Sequence, residues 1–120
     1  MSDLYRDIIL EHWRHPQNKG VLLDATHRTF ESNPLCGDEI GVTMRILDGV
    51  VEDVRFEGRG CAISIAAISL LTEAVKGRTI NEVRALSKRD MLRLLSVTPG
   101  PARMKCALLG LRAVQGALTV

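Results

Sequence analysis

Aromatic residues are nearly missing from this chain of 120 residues: one Trp, one Tyr and two Phe, 3% of the total. Its core must therefore be built from Leu, Ile, Val, Ala and Met. The stacking platforms on which single-stranded nucleic acids are held are lacking as well. Charge of one sign is also missing. Lys and Arg number 16 against 14 Asp and Glu, a formal +2, with the two signs interspersed. Nucleic-acid binders normally show a clustered basic face, so no nucleic-acid partner is expected. The first apolar stretch, Ile8-Ile9-Leu10, is closed in by Asp7 and Glu11. That excludes a signal peptide or a membrane span there, and the chain is expected to work in the cytoplasm without membrane contact. Cysteine is scarce and odd in number, three in all. A disulfide framework needs pairs, and cytoplasmic thiols stay reduced. Each cysteine is then a small buried hydrophobe, a reactive thiol or a metal ligand.

What is present divides by period. Leu4, Tyr5, Ile8, Ile9 and Trp13 recur at helical spacing, with Ser2 as candidate N-cap and Pro16 just beyond the end near His15. Residues 16–25 read as a loop and Thr26–Asn33 as a strand. Ile40, Val42, Met44 and Ile46 alternate with Gly41, Thr43 and Arg45; Val50, Val54 and Phe56 continue on even positions, with Glu52 the exception. Asp48-Gly49 between the runs signals a hairpin. A two-residue turn would set even positions against odd ones. A three-residue loop, Leu47-Asp48-Gly49 with Gly49 left-handed, pairs Ile46 with Val50, Val42 with Val54 and Ile40 with Phe56. A slip of one residue would turn one apolar set outward, so the three-residue loop is expected.

The second half reads as helical. Cys61 to Val75 is apolar nearly all round, stopped at Gly77. Thr79 with Glu82, and more loosely Ser87 with Asp90, resemble capping boxes for helices at roughly 80–86 and 88–96. Pro99-Gly100-Pro101 breaks the chain before a last helix with Met104, Ala107, Leu108, Leu111 and Val114. The expected fold is one α+β domain over residues 1–120, a small antiparallel sheet of about three strands packed with helices.

The hairpin brings chemistry together. Extending the expected ladder puts Cys36 opposite Gly60 and Asp38 opposite Gly58, so Cys36, Asp38 and Cys61 converge at one end of the sheet. Gly37 and Gly58-Arg59-Gly60 supply permissive backbone beside them. Cys61 opens a helix, whose N-terminus favours thiolate. Cys106 has Lys105 and Arg103 for neighbours, and cations depress a thiol pKa. Three thiolates and one carboxylate suit tetrahedral zinc. Iron–sulfur clusters prefer thiolates, and a carboxylate holds a soft cluster less firmly than a fourth Cys. A site that must release cargo gains from that, so Asp38→Ala is expected to slow transfer to an acceptor protein.

Other residues read more plainly. His12, His15 and His27 lie outside the cysteine motifs and are expected in surface or capping roles. Tyr5 and Trp13 suit a core or an interface. Gly58-Arg59-Gly60 lacks the Gly-Lys-Ser/Thr of a phosphate loop. Arg59 is either a surface ion or a cation that steadies a thiolate or attracts a persulfide. A Cys–His–Asp hydrolase needs a base close to its nucleophile, and the sequence offers no convincing one.

Several runs together resemble the iron–sulfur cluster assembly scaffolds of the IscU, SufU and NifU N-terminal type. These are Tyr5…His12…Pro16…Asn18…Gly20, Asn33-Pro34-Leu35-Cys36-Gly37-Asp38, Phe56-Glu57-Gly58-Arg59-Gly60-Cys61-Ala62-Ile63-Ser64 and Arg103-Met104-Lys105-Cys106-Ala107-Leu108. The resemblance covers nearly the whole chain. It implies a SufE/NifU-like fold and places Cys106, which spacing alone does not, beside Cys36, Asp38 and Cys61 as a ligand. It also implies a carrier without turnover of its own, which takes sulfur from a cysteine desulfurase, builds a cluster, usually [2Fe–2S], and delivers it to apo-proteins. In the SufU branch the same positions hold zinc, the protein acts as a sulfurtransferase-like acceptor, and the residue matching Cys36 takes the persulfide; Cys106 is the alternative acceptor. Lys105 stands where IscU proteins carry His, as in SufU, and is a poor ligand while protonated. Only 44 residues separate Cys61 from Cys106, without the insertion usual in SufU. Thr98-Pro99-Gly100-Pro101-Ala102-Arg103 replaces the L-P-P-V-K segment read by the specialised IscU chaperone, so that chaperone is not an expected partner.

Overall fold

The structure, a computed structural model, describes residues 3–34 and 37–118, with backbone only for residues 3–5. The expected N-cap Ser2, the Tyr5 side chain and Cys36 lie outside the described residues. Helix α1 (Asp3–Arg14) leads through a loop to strands β1 (His27–Asn33), β2 (Asp38–Leu47) and β3 (Val50–Arg59). Four helices follow: α2 (Ala62–Val75), α3 (Ile80–Arg84), α4 (Lys88–Leu95) and α5 (Pro101–Ala117). The strands form one antiparallel sheet in the order β1-β2-β3, as the alternating patterns require.

The hairpin corrects the expected register. Asp48 and Gly49 form a two-residue turn, both with positive φ (53° and 75°), and Leu47 pairs with Val50. This is the twist that suits a right-handed hairpin. Ile46 then faces Val51, but Arg45 faces Asp53, so Glu52 is an extra residue in a bulge. The bulge restores parity: Met44 pairs with Val54, Val42 with Phe56 and Ile40 with Gly58. Alternation along both strands thus survives a turn that alone would have broken it. Val51, not Val50, is fully buried next to the turn.

Even-numbered residues of β2, and of β3 beyond the bulge, point to the helices. Ile40, Val42, Met44, Val54 and Phe56 meet Ile68, Leu71, Ala107 and Leu109 in one core. Trp13 is 45% exposed and does not belong to it. The outer edge of β3 is occupied by chain. Gly20 N–H donates to the Phe56 carbonyl and Phe56 N–H to Asn18 (2.7 and 2.9 Å), while Val51 N–H donates to Arg78 (2.9 Å). Both capping boxes form, with Thr79 and Glu82 at α3 and with Ser87 and Asp90 at α4. Helices α2 and α5 cross closely. A Cβ on Gly110 would stand 2.9 Å from Ile68 Cδ1, so only glycine lets the two backbones approach this far.

Candidate metal centre

Three elements meet at the end of the sheet away from the hairpin turn. Asp38 opens β2 and is 4% exposed. The ladder stops at Glu39 facing Arg59, so Asp38 lies against Gly60, two residues beyond its expected partner Gly58. A Cβ on Gly60 would come within 3.2 Å of the Asp38 carboxyl and would overlap the Ser64 hydroxyl. Glycine is required here for a close approach. Gly58, at φ +136°, is required too, because a Cβ there would run into the Glu39 carbonyl. On the other side of Asp38, Gly37 has φ +75° and donates its N–H to the Asn33 carbonyl at 2.8 Å.

Cys61 is the N-cap residue of α2 and is half-buried. Its N–H donates to Asp38 Oδ1 (3.3 Å), and its sulfur lies 3.9 Å from Asp38 Oδ2. Cys106, in the second turn of α5, is 3% exposed. The crossing of α2 and α5 at Gly110 and Ile68 holds it against the others. One donor atom each from Asp38, Cys61 and Cys106 lies within 4.8 Å of the other two. Tetrahedral zinc with thiolate and carboxylate ligands puts its donors about 3.5–3.8 Å apart, so a small contraction around an ion suffices. Two thiols and a carboxyl, buried at Asp38 and Cys106 and half-buried at Cys61, have the chemistry for zinc or for thiolate-bound iron. The residues fit the group.

The surroundings favour ionised sulfur. Burial pushes the Cys61 thiol up, but the Ser64 N–H and hydroxyl, the Cys106 thiol and the Ile63 N–H outweigh it. The net shift is to below the ordinary thiol range. These N–H groups are unpaired donors of the first helical turn. Ser64 was legible from the sequence only as a small packing residue. It is fully buried, donates to the Cys61 carbonyl at 3.1 Å and stands 3.7 Å from the Cys61 sulfur. A hydroxyl three residues after a cysteine at a helix start was the available signal.

Other candidates fall elsewhere. Arg59 is exposed and pairs with Glu39 at 3.5 Å, a surface ion pair. His12 Nδ1 shares a hydrogen with the Ser69 hydroxyl at 2.8 Å, and His27 does so with Thr26 at 2.8 Å. The Ser69 hydroxyl also accepts from Gln17 N–H, and Asn18 donates to Thr72, which pins the loop after α1 onto α2. No histidine joins the donor group among the described residues. Lys105 is exposed. No helix among the described residues is long and apolar enough to cross a membrane.

The fold and site define a small α+β domain that gathers two thiols and a carboxylate around a single point. Residues 4–120 match the model of the NifU-like N-terminal domain, and the chain belongs to that family, which includes the iron–sulfur cluster scaffolds IscU and SufU. It is 39% identical to the zinc-dependent sulfurtransferase SufU of Bacillus subtilis, covering 96% of this chain and 89% of that protein. It is 38% identical to the iron–sulfur cluster assembly scaffold protein IscU of Aquifex aeolicus, covering 98% and 76%. Among solved structures, the N-terminal NifU-like protein of Brucella abortus superposes with a TM-score of 0.80 at 27% identity, over 98% and 93% of the two chains.

Proposed function

We propose that the protein is an iron–sulfur cluster assembly scaffold. It takes sulfur from a cysteine desulfurase, assembles a [2Fe–2S] cluster on Cys36, Asp38, Cys61 and Cys106, and passes it to apo-proteins in the cytoplasm. The observation that carries this reading is the meeting of Asp38, Cys61 and Cys106 donor atoms within 4.8 Å from three separate elements. Cys36 stands two residues before Asp38, a distance that a loop closed at Gly37 can span. In the transfer step the Cys36 thiolate attacks the terminal sulfur of the desulfurase persulfide. The S–S bond of the donor breaks, its cysteine leaves as thiolate, and Cys36 holds the persulfide; Cys106 is the alternative acceptor. The Ser64 and Ile63 donors lower the Cys61 thiol pKa and so favour the thiolate that binds metal. The hard oxygen of Asp38 is the weak point through which the cargo leaves.

A second reading is favoured by Lys105 in place of a histidine and by the likeness to a zinc-dependent sulfurtransferase. The same four residues then hold zinc, and the protein accepts persulfide and activates its desulfurase. One experiment separates the two. The protein is purified without oxygen, its zinc and iron are measured, and reconstitution with iron and sulfide is followed in the visible spectrum. Thiolate-to-iron charge-transfer bands, with slower transfer from Asp38→Ala, are the outcome expected of a scaffold. Tight zinc, no cluster uptake and faster desulfurase turnover establish the acceptor instead. Neither metal nor cluster bound would overturn both.

A further inference from the structure

Away from the metal centre, α4 borders an open groove of about 850 Å³ whose lining includes Lys88, Arg89, Leu92, Arg93 and Val97. Its three cations are exposed, and among the described residues none lies within ion-pair distance of a carboxylate, although Arg93 and Asp90 attract each other along the helix. Arg45, Arg55, Arg59, Lys76 and Arg112 each sit on a carboxylate, whereas none of Lys88, Arg89 and Arg93 forms an ion pair among the described residues. The one acid of this helix, Asp90, is turned back to the Ser87 N–H and hydroxyl (2.8 and 3.1 Å) and does not line the groove. Helix stability accounts for Arg93, in the last turn of α4, but not for Lys88 and Arg89. Lys88 and Arg89 are the first two residues of α4, where the helix dipole disfavours positive charge. The capping box already serves the helix end, so what faces outward is the side chains. Between them Leu92 and Val97 are only partly buried, leaving an apolar strip within a basic rim.

We propose that this groove docks an acidic, leucine-bearing segment of a partner protein. Its carboxylates would meet Lys88, Arg89 and Arg93, and its apolar side chains would lie on Leu92 and Val97. Three cations on two helical turns are too few for the long phosphate contacts of nucleic acids, and no aromatic among the described residues lines the groove for bases to stack on. The surface is separate from the cysteine site and stands whether or not the proposed function does.

The test uses the full chain and a fluorescein-labelled peptide of alternating Glu and Leu, with its Gln counterpart as control, followed by fluorescence anisotropy. The Glu peptide should bind at least about tenfold more tightly than the Gln peptide, with the preference shrinking as salt is added. The triple variant Lys88→Glu, Arg89→Glu, Arg93→Glu should lose the preference while keeping its circular dichroism. If that variant does not fold, the triple Gln variant should show a partial loss. Equal binding of the two peptides, or a preference retained in the folded variants, overturns the proposal. So does tighter binding of a single-stranded oligonucleotide or of phosphatidylserine vesicles through the same residues.

Discussion

Helices α3 and α4 begin in one manner and the two cysteine-bearing helices in another. Thr79 and Ser87 each start their helix with a complete capping box, in which side-chain oxygens accept the first-turn N–H groups and an acid returns the bond. Neither α2 nor α5 has a side-chain cap; α2 starts on Cys61, and α5 on Gly100 followed by Pro101, which has no N–H to satisfy. The donors that a Ser or Asp cap would occupy at α2 are left to the Cys61 sulfur and, through the Cys61 N–H, to Asp38. The boxed helices are stabilised locally. The cysteine helices depend on packing with each other and on what the site holds. The difference shows where this fold leaves polar groups free for chemistry.

The largest effect should come from the helix crossing. Gly110→Val adds atoms where even a Cβ lies 2.9 Å from Ile68, and overpacking of this kind costs about 3 kcal/mol. Urea unfolding should show that loss, and zinc affinity should fall with it, because α5 carries Cys106 away from Cys61. A variant with unchanged affinity would mean that the crossing does not position the site. Next in size is Asp38→Asn, which keeps an oxygen for the Cys61 N–H but removes the charge. Stability without metal should shift by less than about 1 kcal/mol. Zinc affinity, read by competition with a chromophoric chelator, should drop at least about 100-fold, the upper end of what loss of a group merely supporting a ligand costs. An equal loss of stability in the metal-free protein would instead make Asp38 a structural cap.

Much of this contrast was legible in the chain. Thr79 with Glu82 and Ser87 with Asp90 announce their helices because capping is local, satisfied within four residues. The strands were equally plain, and so was the approach of Asp38 to Cys61. The register was not. Glu52 breaks the even alternation of its strand, and that break was the mark of a bulge; a three-residue loop preserved parity just as well on paper and shifted every pair beyond the bulge by two. Asp48 settles the matter only by adopting positive φ, which aspartate tolerates but does not require. Cys106 could be placed beside its companions only by resemblance, since its position depends on Gly110 of one helix meeting Ile68 of another, 42 residues earlier in sequence. Ser64 looked like packing because its hydroxyl acquires meaning only once the Cys61 sulfur stands above it.

Smaller effects test the boxed helices. Ser87→Ala removes the acceptor for the Asp90 N–H (3.2 Å) and should cost about 1 kcal/mol, and Thr79→Ala at α3 a similar amount. Zinc affinity should stay unchanged in both, because neither helix carries a donor of the site. A fall in affinity would erase the distinction between the two kinds of helix.

The smallest effect is in the acid limb of stability. The Ser87 N–H, with the hydroxyl behind it, holds the Asp90 carboxyl below its ordinary range, and Thr79 does the same for Glu82. A carboxyl whose folded pKa is depressed adds stability that is fully present above the unfolded value, about 3.9 for aspartate. That stability is lost as pH falls through the folded value. In Ser87→Ala the backbone donor remains, so the Asp90 midpoint, followed by carboxyl carbon NMR, should rise only part of the way. Urea unfolding at neutral pH and again below the aspartate range should then show wild type and variant drawing closer in acid. A gap that stays constant with pH would mean that Ser87 stabilises α4 through its own hydroxyl bond to the Asp90 N–H alone, with no share in the ionisation of Asp90.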